Sequence, residues 1–447
     1  MKKSILLFFL LIFTVSFIHA KEITFPYLDG SFEYYTMKQS DDLFLSSYEL
    51  LTDLFYKSNV EDIQDYYTNY TFKERLKMYP KYLVKGLPVL SLFLIDSFLT
   101  AITHEEAHRS ILTAKNIGSV SQPIFKFLNF TTGIAYVKGV KDSDLKNLRD
   151  TDFPNFIRLH TAGNESDYCL VQKEFSKMVF EYNQRDLKYN PKEMLNPLYI
   201  EYFIRNISAI VYEASAASGG IADMTEEENE LDRDIVGDDI CGMIHHLYHP
   251  DAEYHRYFSA KDFTPEEKKF AKRIALKTIL NLPLISPIWF NRFAFNVKDK
   301  VNLSFNTGYC LAPFGDFIDE NIYVQLPEVL AGPLNMSVTF RQYQNKTKWF
   351  SEFIFKCEHF SPWNFLTLNA AFDLWWQPEN LSFTTTKSKV GGAVSLGCNI
   401  YPFKMLEDAK YNFGINLNFM YKTDGFMLEI MQLNQGFIFT TGLCVKY

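Results

Sequence analysis

Two periodicities run along this chain, and one gives way to the other near residue 297. Before it, apolar residues recur at helical spacing in segments of helical length, at 87–115, 164–183, 197–217, 232–247 and 265–280, so this stretch is predicted to be mainly α. The first segment opens with LPVLSLFLIDSFLTAIT at 87–103. Asp96 interrupts that run, which falls just short of the roughly 18–20 residues a membrane span needs, and a buried core helix is expected. After 297 the period is two: Tyr411, Phe413, Ile415, Leu417, Phe419 and Tyr421 alternate with Asn412, Gly414, Asn416, Asn418 and Met420. The same alternation recurs at 301–311, 336–343, 349–357, 365–376, 390–400 and 426–434, with turn-rich breaks such as Lys422-Thr423-Asp424-Gly425. It predicts about eight to ten antiparallel strands of roughly ten residues.

The residues opposite the apolar face are Asn, Gly, Ser and Thr, which suit a packed or wet lumen better than the Lys- and Glu-rich outside of a soluble sheet. The last strand sets Phe437, Phe439, Thr441, Leu443, Val445 and the terminal Tyr447 on one face. A chain ending on an aromatic residue in this frame resembles bacterial outer-membrane proteins, whose last strand is read by the barrel-assembly machinery. The resemblance covers the final third of the chain and implies a lipid-facing antiparallel β-barrel over residues 298–447. The soluble alternative is a sandwich or lipocalin-like barrel with its apolar residues inward.

Composition adds the compartment and narrows the function classes. Lys2 and Lys3 precede an apolar run, and Ala20 closes the stretch, which reads as a secretory leader over residues 1–20. A chain of 447 residues leaves room for two domains, here an α domain at 21–297 and the barrel. The net charge of -8 argues against nucleic acid as a partner, since that affinity rests on basic phosphate contacts. Six scattered cysteines without a CxxC pair speak against a disulfide scaffold or a cysteine zinc knot and leave room for one or two disulfides.

The chemistry gathers at His104-Glu105-Glu106-Ala107-His108, ahead of Gly118 as the expected helix stop. Spacing of four puts both imidazoles on one helix face, where they can share a zinc ion, and Glu105 is placed to act as general base toward water. A third ligand is expected downstream. Glu230 is the first choice, with Asp234 one turn later holding a histidine through a hydrogen bond, and Glu213 is the competing ligand. Glu226, Glu227 and Glu228 read as a solvated helix start capped by Thr225. His245, His246, His249 and His255 form a second cluster, from which His249 is the candidate donor to a tetrahedral oxyanion. The run from Arg158 to Ser166 reads as close packing near the site, with no catalytic role.

HExxH followed by Glu230-x-x-x-Asp234, an apolar residue and Gly237 resembles the membrane-associated gluzincin metallopeptidases, which include the CaaX prenyl proteases, the HtpX heat-shock proteases and the periplasmic BepA proteases. The resemblance covers two short motifs. It implies His104, His108 and Glu230 as zinc ligands, Glu105 as general base and Asp234 in support. The expectation is therefore an α+β multidomain protein, with a zincin-like helical domain in the periplasm and a barrel in the outer membrane, hydrolysing a peptide or protein substrate. The competing expectation, from a different class, is a non-enzymatic barrel with a periplasmic plug or interaction module.

Overall fold

The computed structural model describes residues 22–29, 35–50, 71, 73–74, 77, 100–126, 131–181, 197–218, 226–282, 286–287, 294–297, 300–329, 332–402 and 412–446. The leader, Asp96 and Thr225 lie outside them. Among the described residues are seven helices: α1 (37–50), α2 (100–114), α3 (Asp142–Thr151), α4 (Phe153–Glu181), α5 (Pro197–Ser218), α6 (Asp239–Tyr248) and α7 (Pro265–Lys277). None is long and apolar enough to cross a membrane. α2 stops four residues before Gly118, because Asn116 adopts a left-handed φ of 58° and Ile117 N–H closes back on Leu112 O at 2.9 Å, a helix-ending turn that asparagine tolerates well.

Ten strands form one antiparallel sheet in the order β1 (Glu22–Asp29), β12 (Gly436–Lys446), β11 (Asn412–Lys422), β10 (Ser388–Ile400), β9 (Leu366–Pro378), β8 (Trp349–Trp363), β7 (Gly332–Gln344), β6 (Gly315–Val329), β5 (Val301–Ala312), β4 (Phe295–Val297). A separate hairpin joins β2 (Val120–Lys126) to β3 (Thr131–Lys138). The fold is thus mixed α+β, and the sheet takes β1 and β4 from before residue 298. Among the described residues no ladder joins β4 to β1, so the sheet is open where a closed barrel is expected from sequence. Alternation specifies which face a side chain takes, whereas closure requires matched edges and stagger, and β4 is only three residues long.

The faces of this sheet are inverted relative to a soluble one. Along β11, Asn412, Gly414 and Asn416 are buried while Phe413, Ile415, Phe419 and Tyr421 are exposed. The outward set continues with Val390, Val394, Leu396, Trp363, Phe372 and Phe437, the last 81% exposed. Many of the inward polar residues are paired: Gln325 bonds Asn302, Asn335 and the carbonyl of Phe180, and Arg341 bridges Asp319 and Glu352. α4 lies against this inner face, Tyr168 donating to Asp319 and Gln172 accepting from Asn306. Tyr309, Leu311, Phe383 and Met431 share one apolar cluster with the helices, so the packing crosses residue 297.

Residues 426–434 are the one alternating stretch that forms no strand. Phe426 is fully buried, and the carbonyls of Met427 and Ile430 accept from the Arg158 guanidinium, so the loop folds inward onto α4. β6 goes unread in the sequence because Asp316, Asp319 and Glu320 interrupt its apolar residues, yet Asp316 and Asp319 point inward to arginines.

Candidate metal centre

α2 places His104 and His108 one turn apart on the same face, with ring centroids separated by 5.0 Å. The carboxylate that meets them belongs to neither sequence candidate but to Asp239, at the first turn of α6. Its Oδ2 lies 3.2 Å from His104 Nε2 and 3.4 Å from His108 Nε2. An ion with bonds of about 2.0–2.1 Å and tetrahedral angles sets its ligand atoms about 3.3–3.4 Å apart. Two imidazole nitrogens and one carboxylate oxygen therefore fit a first-row divalent cation, and these residues could hold one.

Local structure explains why Asp239 is there. Asp234 accepts from the N–H groups of Val236 and Gly237, Gly237 takes a left-handed φ of 66°, and Asp238 caps α6 by accepting from Cys241 N–H at 2.7 Å. This turn delivers Asp239 at a helix N-terminus, where negative charge is favoured. On the other side Gly163 of α4 passes so close that a methyl group there would overlap the His104 ring. The small residues of the Arg158–Ser166 run do pack against the site.

Both histidines are oriented through their other nitrogen. His104 Nδ1–H donates to Asp167 at 2.8 Å, and His108 Nδ1–H donates to Leu159 O at 2.6 Å. Each Nε2 is thereby aimed at Asp239, carrying a proton in the metal-free fold and offering its lone pair to an ion that displaces that proton. Asp167 is itself held by Arg205 at 2.7 Å, which pairs in turn with Glu201 at 2.5 Å. Burial opposes charge on His104 and His108, but Asp167 and Asp239 outweigh it for the first, and Asp239 pushes the second up to about 9. Asp239 is held well below the usual carboxylate range, burial being overcome by the two imidazoles.

Glu105 sits within the electrostatic reach of both histidines, Asp234 and Asp239, and burial pushes it up to about 8. Glu106 points away, paired with Arg109 and accepting from Ser121. Tyr212 of α5 faces His104 edge-on with ring centroids 6.4 Å apart. Burial and then Asp239 raise its hydroxyl well above the ordinary value, so it stays a proton donor.

The remaining candidates are elsewhere. Glu230 accepts from Asp142 N–H at 2.9 Å and caps α3 from outside, within a turn tied down by Arg256, which donates to the carbonyls of Glu230, Arg233 and Asp234. Asp234 is spent on its own turn and hydrogen bonds neither histidine; burial raises it to about 6. Glu213 accepts from Asn164 and is raised to about 7 by burial. Glu226 pairs with Arg233 in a turn, and the helix starts only at Asp239. His249 caps the far end of α6, about 15 Å from Asp239 at 1.5 Å per residue, so it does not serve this site. Asp167, Asp239 and Tyr212 carry no motif in the sequence; the Asp238-Asp239 pair after Gly237 is a helix-start signal that marks the ligand's position. No disulfide joins the six cysteines, all of which lie among the described residues. No family model, no curated protein and no solved structure matches this chain.

Proposed function

We propose that this protein is a zinc-dependent metallopeptidase held in the outer membrane of a Gram-negative-type bacterium by its C-terminal sheet. The observation that carries the reading is the convergence of the two HExxH imidazoles on one buried carboxylate oxygen, with Glu105 between them in sequence. It keeps the HExxH core of the gluzincin likeness and replaces its third ligand, Glu230, with Asp239. Two histidines, one carboxylate and an open position are the pattern of a catalytic zinc site.

When bound, zinc supplies Lewis acidity toward a carbonyl oxygen, acidifies water and adds the positive charge that returns Glu105 to its carboxylate form. His104, His108 and Asp239 hold it. Glu105 takes the proton from the attacking water and returns it to the leaving amine. Tyr212 donates to the developing oxyanion, the role expected of His249 from sequence. Asp167, Arg205 and Glu201 keep the His104 ring in register.

Membrane anchoring rests on the exposed apolar face of a sheet whose inward face is polar, the face pattern of a lipid-facing barrel; the edges at β1 and β4 would have to be covered for such a sheet to span lipid. Folding of that sheet would draw on the barrel-assembly machinery, and the helices would stand in the periplasm. A second reading, a non-enzymatic membrane sheet plugged by its helices, draws on the way α4 and residues 426–434 cover the inner face.

Zinc per chain in detergent-extracted protein, together with a peptide-cleavage screen, separates the two. One zinc at the HExxH site, lost in His104→Ala, is expected. Glu105→Gln should keep the zinc and lower kcat by about 10²–10⁴-fold, and Tyr212→Phe by about 10²–10³-fold. A first site that takes up no zinc after reconstitution, or cleavage unchanged in Glu105→Gln, sinks the peptidase reading.

A further inference from the structure

We infer that α6 carries a second divalent-cation site at its C-terminal end, built from His245 Nδ1, His249 Nε2 and Glu267 Oε1. His245 and His249 are four residues apart, with ring centroids separated by 4.8 Å. Glu267 comes from the first turn of α7, so the group bridges two helices. The three ligand atoms lie within 4.8 Å of one another, and Glu267 Oε1 is 3.3 Å from His245 Nδ1 and 3.4 Å from His249 Nε2. Those two separations match the edges of a tetrahedron with bonds of about 2.0–2.1 Å, as at the first site.

An independent observation comes from Glu267 itself. Its side chain is 1% exposed, and its two oxygens are used differently. Oε2 accepts from Thr264 N–H and Oγ1, each at 2.7 Å, completing the capping box of α7. Oε1 has no hydrogen-bond partner among the described residues. A buried carboxylate oxygen that makes no well-formed hydrogen bond is costly, and this one faces two imidazole nitrogens at 3.3 and 3.4 Å. Phe258 stacks on His245 at 3.8 Å and holds its ring in place. The two histidine side chains are 25% and 39% exposed, which leaves a path for an ion and room for water to complete its coordination. Two imidazoles and one carboxylate suit zinc, copper or nickel better than magnesium or calcium.

The site stands apart from the peptidase reading. It joins the end of α6 to α7, whereas Asp239 lies at the opposite end of α6. A bound ion here is a cross-link between helices, and its signature is stoichiometry and stability.

The test uses the full chain in detergent, stripped of metal, and titrates zinc against a chromogenic chelator. In a His104→Ala/His108→Ala background one zinc should remain. It should be lost on adding His249→Ala, a half-exposed position with little bearing on folding, and bound at least tenfold more weakly on adding Glu267→Gln. The glutamine amide oxygen keeps the Thr264 cap, so the metal-free melting temperature should hold. No zinc in the first-site background overturns the inference and leaves the peptidase reading untouched. Affinity unchanged by Glu267→Gln also overturns it, because a simple surface pair of histidines then accounts for the binding. If the wild type takes up one zinc that survives His104→Ala, the peptidase reading fails and this site stands.

Discussion

At the scale of single residues, the site turns on which carboxylate reaches two imidazoles. Asp239→Ala should abolish zinc binding at the HExxH site, whereas Glu230→Ala should leave it intact and weaken only the start of α3; zinc content and melting temperature of the two variants check this. The other decisive residues are His160 and His246, buried in an aromatic nest with Phe156 and Tyr254. Neither ring nitrogen of either residue has a hydrogen-bond partner among the described residues. Burial depresses His160 to about 3 and His246 to about 2. Both are therefore neutral when folded, while the unfolded chain protonates them below about 6.5. Stability is complete above that pH and falls as pH drops through it, by on the order of 2 kcal/mol per histidine at about pH 5. Because Glu105, Glu213 and the two metal-centre histidines titrate in the opposite sense in the metal-free chain, the check is the difference in unfolding free energy between wild type and His246→Phe: it should shift in favour of the variant by on the order of 2 kcal/mol from about pH 7.5 to 5, and a difference independent of pH would mean that His246 is protonated in the fold.

At the scale of elements, α6 and α4 organise the chemistry. α6 offers its first turn to α2 and its last turn to α7, and Gly242 lets it lie against α4, since a methyl there would come 2.5 Å from His160 Cε1. α4 supplies Leu159 O, Gly163 and Asp167 to the metal centre, and Tyr168 and Gln172 to the sheet. Asp167→Asn removes the charge that orients His104 and leaves Arg205 short of a partner. Zinc affinity should fall by about 10–100-fold with the far-ultraviolet dichroism unchanged, and an equal affinity would show that the His104 ring is held by packing alone.

For the whole molecule, the helices and the sheet share apolar clusters, so the metal centre is braced against the inner face of the strands. The outward face has no such partner among the described residues. Phe419, in the middle of β11, is 57% exposed; Phe419→Lys should cost about 2–4 kcal/mol in lipid vesicles if it faces the bilayer midplane. Equal unfolding free energy for variant and wild type in vesicles, with both recovered in detergent-free buffer, would exclude a lipid-facing sheet.

The division of labour between sequence and tertiary structure follows from range. HExxH is legible because a helix sets His104 and His108 on one face through local geometry alone. Alternation in β5, β7 to β11 and β12 is legible for the same reason, each residue choosing its face from its immediate neighbours. The start of α6 carries a local signal in Gly237 and the Asp238 cap, although the periodicity sets the helix from residue 232. Which acid completes the metal centre is another matter, because Asp239 is separated from His104 by 135 residues and meets it only after α4, α5 and the Arg256-braced turn have packed. Glu230 has the right spacing in a motif and the wrong place in space. The sheet's edges, β1 recruited from the start of the chain and β4 cut to three residues, were likewise decided by long-range pairing, as was the inward fold of residues 426–434. Local propensity can specify a face or a cap; only packing specifies which distant groups share it.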